Sequence, residues 1–273
     1  MKVIVGIDIG GSTTKICAIE NNNGRRLISP LTVKATDPVT SLYGAFGKLT
    51  SENGLTLSDI ERVMVTGVGS SFADESLYGL PCVPVSEFSA VGLGGLYLTG
   101  LDEAIVVSMG TGTAVVHAKK GRPAEYLGGT GVGGGTLTGL ARLLLKMDDV
   151  DHLSQLAKEG SLDKIDLRIR DIAKSDVLSM RGELTAANFG KVSDLATPAD
   201  MALGLFNMVY ETVGMVSLFA ARSRGLSDIV LLGNLTEIPQ ARTVFDNLSD
   251  IFGVRFVIPE RSAYGTVIGT ALF

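Results

Sequence analysis

Apolar and polar positions alternate over residues 3–9 (VIVGIDI), and the run is rich in β-branched types, which predicts a strand. Gly10 and Gly11 interrupt it, and residues 13–20 (TTKICAIE) resume the pattern. Residues 3–20 therefore read as a β-hairpin with a glycine tip. The same reading recurs at 104–118, where AIVVSM, a Gly-Thr-Gly turn at 110–112 and TAVVHA follow one another. This is a weak internal repeat, with Asp8 and Ser108 at matching places. Further strands are predicted at 31–35, 61–66, 81–86, 228–232 and 254–258, and a further hairpin turns about Lys120 and Gly121. Helical spacing predicts helices over 40–52, 88–98, 136–147, 199–224, 239–251 and 263–272, with 148–190 short and polar. The longest helix stops at Gly225, a C′ glycine, and Pro239 opens the next. The whole is an α/β chain of two lobes, each a mixed sheet that opens with a Gly-tipped hairpin and is flanked by helices. LTGLDE, near 98–104, is the crossing, so residues 1–100 form the N-terminal lobe and 101–273 the C-terminal lobe.

Composition narrows the function classes. The net charge is −5 with no basic block, which argues against nucleic acid or a membrane surface as partner. The most apolar stretch, 201–221, carries Asn207, Glu211 and glycines, so it reads as a buried helix and not as a membrane span. The N-terminus lacks the charged and apolar regions of a signal peptide. Two cysteines (Cys17, Cys82) and two histidines (His117, His152) are too few for a zinc cluster or a disulfide framework, and they fit a reducing, cytoplasmic compartment. The 34 glycines are about 12% of the chain against roughly 7% on average, and they cluster at 10–11, 67–69, 92–95, 110–112 and 128–135. Such clustering suggests a backbone that approaches a ligand closely, usually a phosphate.

Five segments could carry chemistry. In DIGGSTTK, the tip at Gly10 and Gly11 exposes backbone N–H groups, Ser12, Thr13 and Thr14 add hydroxyls, and Lys15 adds positive charge. Asp8 can hold Mg²⁺ through water. An ordinary polar hairpin tip reads the same way, but the second tip, SMGTGT at 108–113 with Thr111 and Gly112, favours a pair that grips a triphosphate from both lobes. GGTGVGGG runs into the helix at Thr136, whose N-terminal N–H groups form an anion site. A Rossmann fingerprint is a poor fit, because this GxGxxG follows hairpins. Gly233 and Asn234 end a buried strand, either as a nucleotide contact or as a common strand-Gly turn. Glu87 is expected on the far side of the first lobe's core from the loop GVGSS. It reads either as the base for a substrate hydroxyl or as a helix N-terminal Glu held by the dipole. His117 and His152 read as structural, and DDVD at 148–151 as a solvated helix exit.

The ordered set of VGIDIGGSTTK, MGTGT, strand-Gly-Asn and AYGTVIGTAL resembles the actin, sugar-kinase and heat-shock ATPase superfamily, with its ribonuclease H-like fold. Within it, VSEF (85–88), GGTGVGGGT (128–136) and LTAANFG (184–190) resemble the type II pantothenate kinases. The resemblance implies ATP and Mg²⁺ as cofactors, pantothenate or a related hydroxy acid as substrate, a homodimer, and Glu87 as catalytic residue. It implies ATP contacts at Asp8 to Lys15, Thr111, Gly134, Gly135, Thr136, Leu137 and Thr138, with Asn234 near the nucleotide. Ala186 and Ala187 would lie near the neighbouring protomer's acyl-substrate site. One position departs. Where the family has an Arg for the pantothenate carboxylate, this chain has Tyr126, which cannot replace a bidentate cation; Arg122, four residues earlier, is the alternative cation. Phosphoryl transfer is thus better supported than pantothenate itself. A kinase for another hydroxyl acceptor and an ATP-binding regulator or activator ATPase stay open. A repressor-related sugar kinase lacks its Cys-rich zinc loop here, and an iron–sulfur activator its paired cysteines.

Overall fold

The computed structural model describes residues 2–11, 13–22, 24–34, 37–70, 76–173 and 182–273. In chain order, the first half holds β1 (Val3–Ile9), β2 (Thr14–Glu20), β3 (Leu27–Val33), α1 (Pro38–Asn53), β4 (Ile60–Thr66), β5 (Ser76–Leu77), β6 (Leu80–Pro84) and α2 (Glu87–Thr99). The rest holds β7 (Glu103–Met109), β8 (Thr113–Lys119), β9 (Glu125–Thr130), α3 (Gly134–Leu145), α4 (Val150–Ala157), β10 (Leu167–Arg168), α5 (Ile169–Ile172) and β11 (Thr185–Ala187). It ends with α6 (Pro198–Ser223), β12 (Asp228–Leu232), α7 (Pro239–Phe252), β13 (Arg255–Val257) and α8 (Gly265–Ala271).

Two sheets form the frame. One has the order β3-β2-β1-β4-β6-β5 and the other β13-β12-β7-β8-β9. In each, an antiparallel meander of three strands (β1 to β3, β7 to β9) continues into parallel strands (β4 and β6, β12 and β13). Read from the meander's last strand, β3-β2-β1-β4-β6 therefore superposes in order and direction on β9-β8-β7-β12-β13. Asp8 and Ser108 stand at the sixth place of the equivalent strands β1 and β7.

Strand alternation sorts the side chains by face. Val3, Val5, Ile7 and Ile9 pack with Leu42, Ala45, Phe46 and Leu49 of α1. The other face of that sheet puts Cys17 and Ile19 against Val267, Ile268 and Ala271 of α8. In the second sheet, Ala104, Val106, Val116, Ala118 and Val230 face Val91 and Leu96 of α2. Ile105, Val107, Met109 and Val115 face α3, α4, α6 and α7.

The sequence order of the helices is crossed. α2 precedes residue 100 yet packs on the second sheet, and the C-terminal α8 packs on the first. The two helices also pack on each other between the sheets. Glycine makes this possible: a Cβ on Gly94 would overlap the Gly265 carbonyl, and one on Gly269 the Ala90 carbonyl. Backbone therefore meets backbone at the crossing. Helix α6, capped by Thr197 and by Asp200 three residues on, is long and apolar enough by composition to cross a membrane. Its apolar length is instead largely buried, with Phe206, Val209, Tyr210 and Val213 in the core and the Tyr210 hydroxyl donating to the Leu235 carbonyl at 2.9 Å.

Candidate active site

The first hairpin tip closes through the Gly10 N–H, which donates to the Thr13 carbonyl at 3.0 Å, while Gly11 faces open space. Ser12 lies outside the described residues. Thr14 is buried and shares the α1 face of β2 with Ile16 and Ala18, opposite Asp8 and Lys15. Asp8 and Lys15 are cross-strand partners, yet the lysine does not bond the aspartate. Its ammonium reaches across to the second half, donating to Asn234 Oδ1 at 2.6 Å and to the Ala263 carbonyl, and lies 5.8 Å from the centre of the Tyr264 ring. Burial pulls the Lys15 pKa down, against the pull of Asp8 and Glu237. Asp8 makes no hydrogen bond among the described residues. Burial pushes its carboxyl up to about 6, the Lys15 charge opposes this, and the Glu87 charge adds to it.

A loop that sequence reasoning did not place in the site lies over Asp8. Gly67 has φ +90, and a Cβ there would stand 2.7 Å from Asp8 Oδ1. The next glycine, Gly69, donates its N–H to the Ile9 carbonyl at 2.9 Å. This corrects the expectation for Glu87. Because β4 and β6 run parallel, the 67–70 loop and Glu87 leave the same edge of the sheet, and do not sit on opposite sides of the core. The Val85 N–H bonds the Val65 carbonyl at 2.8 Å, and Thr66 Oγ1 donates to the Val85 carbonyl at 2.9 Å, which anchors the approach to α2. Glu87 opens α2 and is exposed, with no hydrogen bond among the described residues. The protein around it displaces enough water to raise its pKa, and no cation opposes the rise.

The second tip is built with the helix that follows it. Gly110 N–H donates to the Gly112 carbonyl at 2.9 Å. The N–H groups of Gly134 and Gly135 donate to the carbonyls of Gly110 at 2.9 Å and Thr111 at 2.8 Å. Helix α3 thus begins at Gly134, two residues before the predicted start, and these two first-turn donors are not free for an anion. The hydroxyls of Thr136 and Thr138 donate to the Gly131 and Gly134 carbonyls, and Leu137 is fully buried in the core. Thr111 is exposed at the tip. Ser108 lies on the α2 face, in line with Val106 and Ala104, and makes no hydrogen bond among the described residues. Gly233, at φ +102, donates to the Ser262 carbonyl at 3.0 Å and carries the chain into the turn that presents Asn234 to Lys15.

Tyr126 stacks on Phe88, with ring centres 4.0 Å apart and planes 17° from parallel, directly beside Glu87 in sequence. Arg122 sits in the β8–β9 turn, at the end of the hairpin remote from the glycine tip. Ala186 and Ala187 are exposed on the small β10–β11 ribbon, apart from this group. A buried network that sequence reasoning missed pins their segment to α6. Thr185 and Asn188 donate to the two oxygens of Glu211 at 2.8 and 3.0 Å. The Phe189 N–H and Asn207 Nδ2 each donate to Asp166 at 2.8 Å. His117 bonds Glu103 at 2.8 Å, and Asp149 caps α4 by accepting from the His152 N–H at 2.9 Å. DDVD is therefore a helix start, and not the helix exit expected from its polarity.

Residues 103–251, the stretch from β7 into α7, match the family described as Fumble. The chain is also 30% identical over 275 residues to a type II pantothenate kinase of Staphylococcus haemolyticus, covering 97% of each protein. The chain belongs to the type II pantothenate kinase family. It is an enzyme of the phosphotransferase class that acts on an alcohol group. Two solved structures share its fold. Component A of the (R)-2-hydroxyglutaryl-CoA dehydratase of Acidaminococcus fermentans superposes with a TM-score of 0.72 at 16% identity, covering 100% of this chain and 97% of that one. The activator of the 2-hydroxyisocaproyl-CoA dehydratase of Clostridium difficile, with bound ADPNP, gives 0.68 at 17%, covering 99% and 93%. The expected actin-like ATPase fold, with its two mixed sheets, is the one found.

Proposed function

We propose that this chain transfers the terminal phosphoryl group of ATP to the hydroxyl of pantothenate, giving 4′-phosphopantothenate, the first step toward coenzyme A. The reaction site on this reading lies between the two sheets, and the expected division into lobes at residue 100 gives way to one in which α2 belongs with the second sheet and α8 with the first. The observation that carries the reading is the arrangement of Asp8, Glu87, Ser108 and the two glycine tips around the carboxyl ends of β1 and β7. The open space at Gly11 suits a phosphate, and the unbonded, half-buried Asp8 suits a hydrated Mg²⁺. Bound Mg²⁺ supplies charge neutralisation at the phosphates. Lys15, Thr13 and Thr111 add polar contacts to the nucleotide from the two tips, and Asn234 fixes the Lys15 ammonium.

Glu87 accepts the proton of the acceptor hydroxyl as its oxygen bonds to phosphorus and the bond from phosphorus to the bridging oxygen of ADP breaks. Its raised pKa makes it a better base than an ordinary carboxylate once ionised. The enzyme on this reading is a cytoplasmic homodimer, and Ala186 and Ala187 face the neighbouring protomer's acceptor.

Coupled ADP release across pantothenate, other hydroxy acids and sugars tests the reading. Release with pantothenate supports it, and release with a different acceptor reassigns the substrate. The likeness to dehydratase activators favours a second reading, an ATP-binding activator, which predicts no acceptor-dependent release at all. An iron–sulfur version of that role is poorly served, since Cys17 is fully buried on β2 against α8.

A further inference from the structure

The place of the Glu87 carboxylate depends on the backbone that carries it into α2. The chain leaves β6 at Pro84 and reaches the helix through Val85 and Ser86. Val85 is tied to the end of β4 at both of its backbone groups. Its N–H donates to the Val65 carbonyl at 2.8 Å, and its carbonyl accepts from Thr66 Oγ1 at 2.9 Å. The first bond continues the parallel ladder, which ends by pairing Val65 with Pro84. The second is made by a side chain, one peptide beyond the ladder and two residues before Glu87. From Ser86 on the helix takes over: the Ala90 N–H donates to the Ser86 carbonyl at 3.0 Å, and α2 rests on the second sheet.

Thr66 is 1% exposed, so its hydroxyl faces the Val85 carbonyl and not solvent. Val63 and Val65 point to the α1 face of the sheet, which puts Thr66 on the opposite face, in register with Asp8. The next residue, Gly67, approaches Asp8 so closely that a Cβ there would stand 2.7 Å from Oδ1. Consecutive residues at the end of β4 thus bear on both acids of the site, Thr66 on the chain before Glu87 and Gly67 on Asp8 itself.

We propose that Thr66 is a positioning residue for Glu87: its hydroxyl fixes the Val85 carbonyl and so holds the first turn of α2, with the base on it, against the first sheet. The inference rests on the kinase reading above, in which Glu87 takes the acceptor's proton. A buried hydroxyl at a strand end has a plainer use, which is to satisfy a carbonyl that would otherwise lack a partner. The two roles differ in their consequences. Satisfying a carbonyl contributes to stability alone, whereas positioning contributes to turnover, and only for as long as Glu87 is there to be positioned.

The test is a double-mutant cycle read by coupled ADP release, with pantothenate or whichever hydroxyl acceptor the wild type turns over. Thr66→Val keeps the side chain's shape and removes the donor. In protein shown to be folded by circular dichroism, it should lower kcat by about 10–100-fold, the cost of a base displaced by a fraction of an ångström to an ångström. KM for ATP should stay within about twofold, since the nucleotide's contacts are untouched. Thr66→Ser keeps the hydroxyl and should recover most of the lost kcat. The deciding measurement is Thr66→Val in the Glu87→Gln background, where the further loss should be under about twofold, because a base already removed cannot be misplaced. If Thr66→Val does not fold, Thr66→Cys, with a weaker donor of similar size, takes its place in the same cycle. Losses that add, or a folded Thr66→Val with the wild type's kcat, overturn the inference and leave the kinase reading standing. Wild-type turnover by Glu87→Gln, or no acceptor-dependent release by a wild type that binds ATP, overturns both.

Discussion

Asp8 is the sharpest place to test the electrostatics of the cleft. Its carboxyl is pushed from 3.8 to about 6, mainly by burial, although Lys15 stands across the strand pair. A carboxyl whose pKa is higher folded than unfolded is easier to keep protonated in the folded protein. Its contribution is therefore favourable at low pH and is lost as pH rises through the folded value. A shift of this size leaves the ionised Asp8 costing about 3 kcal/mol at pH 7, and about half of that near pH 5, where much of the folded form is still protonated. Asp8→Asn imitates the protonated acid and should stabilise the nucleotide-free protein by that amount. This corresponds to about 6–9 °C in Tm for a chain of this size. The assay is urea unfolding of both proteins at intervals from pH 5 to pH 8, read as the difference between them. The difference cancels Asp166 and Glu211, whose raised carboxyls bend the wild-type profile in the same direction, and leaves Asp8 together with the Glu87 coupled to it. The same variant should lose nucleotide-dependent turnover, the pattern of a site that trades stability for function. A difference that is flat across this range, or a less stable Asp8→Asn at pH 8, refutes the claim that Asp8 is a destabilised, unpaired carboxylate.

Glu87→Gln should lower kcat by about 10²–10⁴-fold while calorimetry still finds ATP bound, and turnover like the wild type's would remove Glu87 from the mechanism. In the wild type, the raised Glu87 pKa places the acid limb of the kcat profile above that of an ordinary carboxylate, so activity falls earlier as pH drops. Gly269→Ala drives a methyl into the Ala90 carbonyl, where neither side can yield, and should cost about 3 kcal/mol in urea unfolding. An unchanged midpoint would mean that the α2–α8 crossing is looser than described. Asn207→Ala removes a donor from the fully buried Asp166 and should cost about 1–3 kcal/mol, with faster amide exchange over residues 185–190 as the local signature. Protection that stays unchanged there would show that the network does not hold this segment.

The sequence made the hairpins legible because β-branched alternation and glycine tips are local signals, and β1, β2, β7 and β8 fall within a residue of their predicted spans. The third strand was misplaced, expected at 31–35 and found at Leu27–Val33. Pro30 sits in it at a register shift opposite β2, and a proline is tolerated because β3 is the sheet's edge, but it hides the alternation. Helix α4 was missed because its Asp-rich start reads as loop, although Leu153 and Ala157 bury one face. The glycines and acids of the site were visible as residue types. Their partnerships were not: Lys15 meets Asn234 across 219 positions, and Asp166 meets Asn207 across 41. No periodicity encodes such pairs, since each depends on how two separately folded segments dock.

On the proposed reading, the crossing of α2 and α8 explains how Glu87 and the two glycine tips come to serve one site although they come from different halves of the sequence. Glu87 is tied to the first sheet through the Val85–Val65 hydrogen bond, while its helix lies on the second. Lys15 stands on the first sheet and holds the turn that leads into α8, which lies on that same sheet. Each half thus carries an element anchored in the other, and the bare backbone contact at Gly94 and Gly269 leaves no side-chain layer to absorb a shift between them. Since the charge of Glu87 raises the pKa of Asp8, the converse must hold by linkage. On the proposed reading, a cation held at Asp8 would make Glu87 easier to ionise.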